Sequence, residues 1–218
     1  MASAPRIKLC GITSLDDARL AVDAGAWAIG TILWPHSPRA CDPAEAARIV
    51  AALRRRAHVC GVFVNAHLDE VSELVDALGL TMVQLHGDEG PAYCAEVARR
   101  TGAKVIKAAA VSTQADVQTL ETFHTDFHML DAHRPGMRGG TGETFDWELV
   151  RARRSSIPLI LSGGLRPDNV AEAIAAIQPF AVDTASGTEA APGVKDPEKV
   201  AAFVAAVEAT VPAEVTSS

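Results

Sequence analysis

Eight times along this chain a short apolar run is followed by a stretch with helical periodicity. The runs are Arg6–Cys10, Trp27–Leu33, His58–Val64, Met82–Leu85, Lys104–Ala108, Phe127–Asp131, Pro158–Leu161 and Ala181–Asp183. Between and after them the pattern predicts helices over Ser14–Ala24, from Asp42-Pro43 to about Arg56, and over Leu68–Leu78, Pro91–Arg100 and Thr113–Phe123. Three more follow, from about Asp146, over Pro167–Ile177 and over Pro197–Val207. Ser14 and Asp42 suit helix caps, and Pro43 suits a first helical position. The runs are apolar throughout rather than alternating, as strands covered on both faces are. Units repeat at roughly 25 residues, and ~200 residues is the lower end of what eight of them need to close. The fold class expected is α/β, a (β/α)8 TIM barrel: an eight-stranded parallel barrel surrounded by helices. The rival is an open doubly wound sheet, whose dinucleotide fingerprint GxGxxG is missing after the first run.

At 218 residues the chain fits one large α/β domain. We expect a single barrel over 1–211 and a disordered C-terminal tail over 212–218, which is small and polar. Hydrophobic residues make up 48% and the net charge is -7, with no basic stripe. That disfavours nucleic acid and acidic membranes as partners. No apolar run approaches the ~20 residues that span a bilayer, and no cleavable leader is evident. Cys10, Cys41, Cys60 and Cys94 match neither CxxC nor a zinc spacing. Reduced thiols and a cytoplasmic location are expected.

Chemistry in such a barrel gathers where strands end and βα loops begin. Those positions here hold Cys10-Gly11-Ile12-Thr13, Trp34 to Arg39, Asn65, Gln84 to Glu89, Asp131, Ser162-Gly163-Gly164 and Thr184-Ala185-Ser186-Gly187. Loops after the seventh and eighth strands form a recurrent phosphate site. Gly163, Gly164 and Gly187 let the backbone approach an anion, and the Ser186 hydroxyl adds a donor. Cys10 ends the first strand and Asp131 the sixth, across the expected mouth. A thiolate accepts a proton, and a carboxylic acid of raised pKa donates one. The long segment after Asp131, with Gly139, Gly140, Thr141 and Gly142, reads as a lid over the site.

Taken together, Lys8-Leu9-Cys10-Gly11-Ile12-Thr13, Val83 to Glu89, Leu130-Asp131 with Gly139-Gly140-Thr141-Gly142 and Phe145-Asp146-Trp147, Leu161 to Leu165 with Asn169-Val170, and Ser186-Gly187 with Glu189 and Pro192-Gly193-Lys195-Asp196 resemble the phosphoribosylanthranilate isomerase family. The resemblance runs in order from residue 8 to residue 196. It implies a cofactor-free and metal-free Amadori rearrangement of a phosphoribosyl substrate in tryptophan biosynthesis. It assigns Asp131 as general acid and Cys10 as general base. It sets Arg39 opposite the anthranilate carboxylate, and Gln84, His86 and Asp183 in the pocket. Thr184-Ala185 departs from the family, which often has valine and serine there, so no phosphate contact is assigned to Thr184.

Three other functions fit the pattern less well. A histidine-pathway isomerase would carry an aspartate where Cys10 stands. A metal-dependent epimerase would need several strand-end ligands, and only His86 is well placed. A non-catalytic phosphosugar binder would have no use for Cys10 and Asp131 together. The chain is expected to act as a monomer or homodimer.

Overall fold

The computed structural model describes residues 4–131, 150 and 153–211. Eight strands form a closed, all-parallel barrel: β1 (Arg6–Cys10), β2 (Ala28–Ile32), β3 (His58–Phe63), β4 (Met82–Leu85), β5 (Lys104–Ala110), β6 (Phe127–Asp131), β7 (Leu159–Ser162) and β8 (Ala181–Thr184). β8 returns to β1 in register, Lys8 beside Asp183 and Leu9 beside Thr184. Closure leaves no strand edge unpaired and rules out the open sheet.

The unbroken apolar character of the strands now resolves into two destinations. Outward residues such as Leu9, Ile29, Val83, Val105, Leu130 and Val182 join one large cluster with the helices. Inward residues Cys60, Met82, Ile106, Met129, Ile160 and Ala181 fill the barrel and form a second, smaller cluster. Both faces of every strand are thus dry, which is why no alternation is visible in the sequence. Above the inner cluster the inward positions turn polar: Lys8, Cys10, Gln84, Asp131, Ser162 and Asp183 occupy the strand ends nearest the βα loops.

The described helices are α1 (Leu15–Asp23), α2 (Pro43–Leu53), α3 (Leu68–Leu78), α4 (Pro91–Thr101), α5 (Gln114–Leu120), α6 (Val170–Ile177) and α7 (Pro197–Glu208). The expected caps form. Ser14 Oγ accepts from Asp17 N, and the Asp42 carboxylate accepts from Ala44 N with Pro43 in the first turn. Helix α6 begins three residues later than the pattern suggested, because Arg166–Asn169 is spent on a side-chain-bonded turn in which Asn169 Oδ1 accepts from Arg166 N. The helix expected from about Asp146, the lid with Gly139, Gly140, Thr141 and Gly142, and the 212–218 tail lie outside the described residues.

One element has no counterpart in the sequence reading. After β8 a single 3-10 turn (Ser186–Thr188) leads into a two-stranded hairpin, β9 (Glu189–Ala191) and β10 (Val194–Lys195). Gly193, at φ +80°, makes its turn, and the Gly193 carbonyl accepts from Thr13 Oγ1. The hairpin thereby leans on the β1–α1 loop. Among the described residues no helix is long and apolar enough to cross a membrane.

Candidate active site

The site is built from the polar upper layer of the barrel and the loops above it. Cys10 is 6% exposed. Its Sγ lies over the bare face of Gly30, its register partner on β2. A Cβ at Gly30 would come 2.7 Å from that sulfur and 3.2 Å from Lys8 Nζ. Burial pushes the Cys10 thiol up from its ordinary value. Lys8, Lys195 and the Gly11 N–H pull the other way, and Asp183 adds to the rise.

Lys8 is fully buried. Its ammonium donates to Asp183 Oδ1 at 2.7 Å, and Asp183 Oδ2 accepts from Ser162 Oγ at 3.0 Å. Burial is the largest single influence and would depress Lys8, yet the Asp183 carboxylate together with the Cys10 and Cys60 sulfurs holds the ammonium above its usual value. Asp183, expected to reach the pocket, therefore has both oxygens engaged beneath it.

On the opposite wall Gln84, His86 and Asp131 come together. Gln84 Nε2 is 2.8 Å from His86 Nδ1, and His86 Nε2 is 3.5 Å from Asp131 Oδ2. Gln84 Oε1 has no partner among the described residues, so either orientation of the amide can face Nδ1; with Nε2 donating, the neutral imidazole carries its proton on Nε2, toward Asp131. Asp131 ends β6, three strands from Cys10 the short way round the barrel. Below this wall, Glu89 accepts from the N–H groups of Asn65 and Gly87 and pairs with Lys107 Nζ at 2.8 Å, bracing the loop that carries His86.

Arg39 stands in the β2–α2 loop. Glu189 grips it in bidentate fashion, with Nε to Oε1 and Nη2 to Oε2 both at 2.8 Å. The Glu189 hydrogen bond is the main reason the guanidinium pKa is raised. Among the described residues Arg39's side-chain bonds use Nε and Nη2 alone. Glu189 also lies 3.6 Å from Lys195 Nζ, which donates to Ala185 O at 3.0 Å and Thr188 Oγ1 at 3.2 Å.

The two glycine loops meet. Gly163 and Gly164 follow β7 with φ of +101° and +67°. Ser186 is exposed and opens the turn after β8. Gly187 packs on the Leu165 backbone so closely that a Cβ would collide with its carbonyl. Thr184 Oγ1 is occupied by that same carbonyl at 2.7 Å. Strand-end position led to Cys10, Asp131 and the glycine loops, and the family resemblance set Gln84 and His86 in the pocket. Neither gave a role to Lys8, Lys195 or Glu189. For Lys8 the signal was present: a lysine two positions before Cys10 on the same strand must share its face.

Comparison with known proteins agrees with this fold. A family model described as N-(5'phosphoribosyl)anthranilate (PRA) isomerase matches residues 7–206. The N-(5'-phosphoribosyl)anthranilate isomerase of Citrifermentans bemidjiense is 47% identical over 200 residues, covering 92% of this chain and 95% of that protein. The crystal structure of phosphoribosyl anthranilate isomerase from Thermotoga maritima superposes with a TM-score of 0.84 at 39% identity, covering 94% of this chain and 99% of that one. A further structure of such an isomerase, in complex with reduced 1-(o-carboxyphenylamino)-1-deoxyribulose 5-phosphate, gives a TM-score of 0.82 at 37% identity, with coverage of 94% and 99%.

Proposed function

The chain belongs to the N-(5'-phosphoribosyl)anthranilate isomerase family, enzymes of tryptophan biosynthesis, and from this we propose that Cys10 and Asp131 carry out its two proton transfers. The observation that supports the pairing is their position, on opposite walls of one polar strand-end layer, each with its own supporting groups.

The substrate is N-(5'-phosphoribosyl)anthranilate. Its phosphate binds at the joined loops of Gly163, Gly164, Ser186 and Gly187, where closely approached backbone and a hydroxyl present donors to an anion. Its anthranilate carboxylate lies against the outer edge of Arg39, which Glu189 holds in one orientation. The furanose then spans the space between Cys10 and Asp131. Asp131 donates its proton to the ring oxygen. The bond from C1′ to that oxygen breaks, and the nitrogen lone pair forms a C1′=N⁺ double bond. Covering by substrate, with a phosphate nearby, favours the protonated carboxyl that this step needs. The iminium acidifies the proton at C2′. The Cys10 thiolate removes it, and the electron pair becomes the C1′=C2′ bond of an enolamine. Protonation at C1′ and loss of the C2′ hydroxyl proton give the ketone, 1-(2-carboxyphenylamino)-1-deoxyribulose 5-phosphate.

Gln84 and His86 hold Asp131 toward the ring oxygen through the Nε2–H of His86. The chemistry uses only protein side chains, and we place the reaction in the cytoplasm.

The test follows substrate fluorescence, with phosphoribosylanthranilate made in situ from anthranilate. Wild-type protein should consume it far faster than it decays spontaneously. Asp131→Asn should bind the product analogue with little change while kcat falls by about 10²–10⁴. Near-wild-type kcat in Asp131→Asn would remove the residue from the acid role.

A further inference from the structure

We propose that the buried Lys8–Asp183 pair is a positioning device for Cys10: Lys8 holds a fixed positive charge beneath the sulfur and favours its thiolate form. The inference rests on the base role proposed above for Cys10.

The first observation is geometric. Lys8 and Cys10 are two residues apart on β1 and share the inward face. Gly30 beside them has no side chain, so the sulfur and the ammonium both settle over its α-carbon. From the two distances to a Cβ built there, the groups are no more than about 6 Å apart, a range at which a charge shifts a neighbour's ionisation strongly in a dry interior. Substrate approaches from the mouth of the barrel. The cation therefore acts from the far side of the thiol without competing for the site.

The second observation is energetic. The barrel interior below this layer is filled by Met82, Ile106, Met129 and Ile160. Two apolar residues in place of Lys8 and Asp183 would pack there at no cost in charge burial, and buried ion pairs are often no more stable than such replacements. Packing alone does not explain a lysine with 0% exposure whose one hydrogen-bond partner among the described residues is Asp183.

Every charged or titratable group that faces the sulfur must be weighed. From β8, Asp183 opposes the thiolate, but its two oxygens are turned to Lys8 and Ser162. From β10, Lys195 favours it, but that ammonium is shared with Ala185 O, Thr188 and Glu189. From the β2–α2 loop, Arg39 is neutralised by Glu189. From β3, Cys60 has its own thiol pushed up to about 12 by burial and stays neutral. Lys8 is the largest of the charges acting on Cys10, and it works against burial.

The experiment compares wild type with Lys8→Met and with Lys8→Met/Asp183→Asn, which removes both charges and avoids stranding the carboxylate. Cys10 alkylation by iodoacetamide is followed against pH, with the modified residue located by mass spectrometry. The acid limb of kcat/KM is measured alongside. Both profiles should move to higher pH, with alkylation at a fixed pH on the limb falling about tenfold or more. The double variant should shift in the same direction by less. Unshifted profiles in a folded variant, even one of reduced kcat, would reduce Lys8 to a structural role and overturn the inference. Failure of the base role would look different: Cys10→Ser would retain kcat whatever Lys8 does to the thiol's titration.

Discussion

At the residue scale the chemistry depends on where the Cys10 sulfur sits, and Gly30 sets that position. A methyl group at 30 would lie 2.7 Å from Sγ and must displace it. Gly30→Ala should therefore lower kcat by about 10–100-fold, the cost of a misplacement near 1 Å, while phosphate-ligand affinity holds; steady-state kinetics with a competitive phosphate ligand checks both. The placement of Cys10 and Asp131 at strand ends was legible in the sequence, and strand ends are where this fold exposes side chains. The glycine opposite was not, because its importance is a register relation between two strands, and register appears only once the barrel closes. Lys8 lies between these cases. Its alternation with Cys10 is readable, but its partner Asp183 is 175 positions away. Asp183 sits at the expected level, and its tie to Lys8 and Ser162 is a relation between three strands that strand-end position alone does not show.

At the element scale the two glycine loops behave as one unit. The turn after β8 rests on the Leu165 backbone through Gly187, and Thr184 Oγ1 ties β8 to the same carbonyl. Gly187→Ala should push the loops apart, weaken inorganic phosphate or product-analogue binding by about tenfold, and cost about 1–3 kcal/mol of stability, as overpacking does. Calorimetric titration and thermal unfolding measure the two effects. Unchanged affinity would separate Gly187 from the anion site. The hairpin of β9 and β10 was not foreseen, because Glu189–Ala191 and Val194–Lys195 are too short to carry a strand pattern. Yet it brings Glu189 to Arg39 and Lys195 to the turn at Ala185. The helices were more legible. Their caps and apolar periodicity act within a few residues, so Ser14, Asp42 and Pro43 announce their ends directly.

At the scale of the whole molecule the barrel divides its labour between its two ends. The end carrying the βα loops holds the polar site. The opposite end is closed by aromatic packing: Trp27 meets His58, Phe127 and Phe180 edge-on at 5.4–5.5 Å, with the Arg6 guanidinium 5.6 Å from the Trp27 ring. Trp27→Ala should lose roughly 2–4 kcal/mol of stability and leave kcat within about twofold of wild type at temperatures where the protein stays folded; denaturant unfolding and the fluorescence assay together test that division. The alternation of strands and helices made this architecture readable from the sequence, because each unit repeats the same burial problem. The lid could be read only as a long glycine-rich segment, and its residues lie outside those described. The central claim is that the thiolate of Cys10 removes the C2′ proton. The most direct measurement is kcat and KM of Cys10→Ser in the phosphoribosylanthranilate fluorescence assay. With Cys10 as the base, kcat should fall by about 10²–10⁴ with KM nearly unchanged; a variant with near-wild-type kcat, or one in which only KM moves, would remove Cys10 from that role.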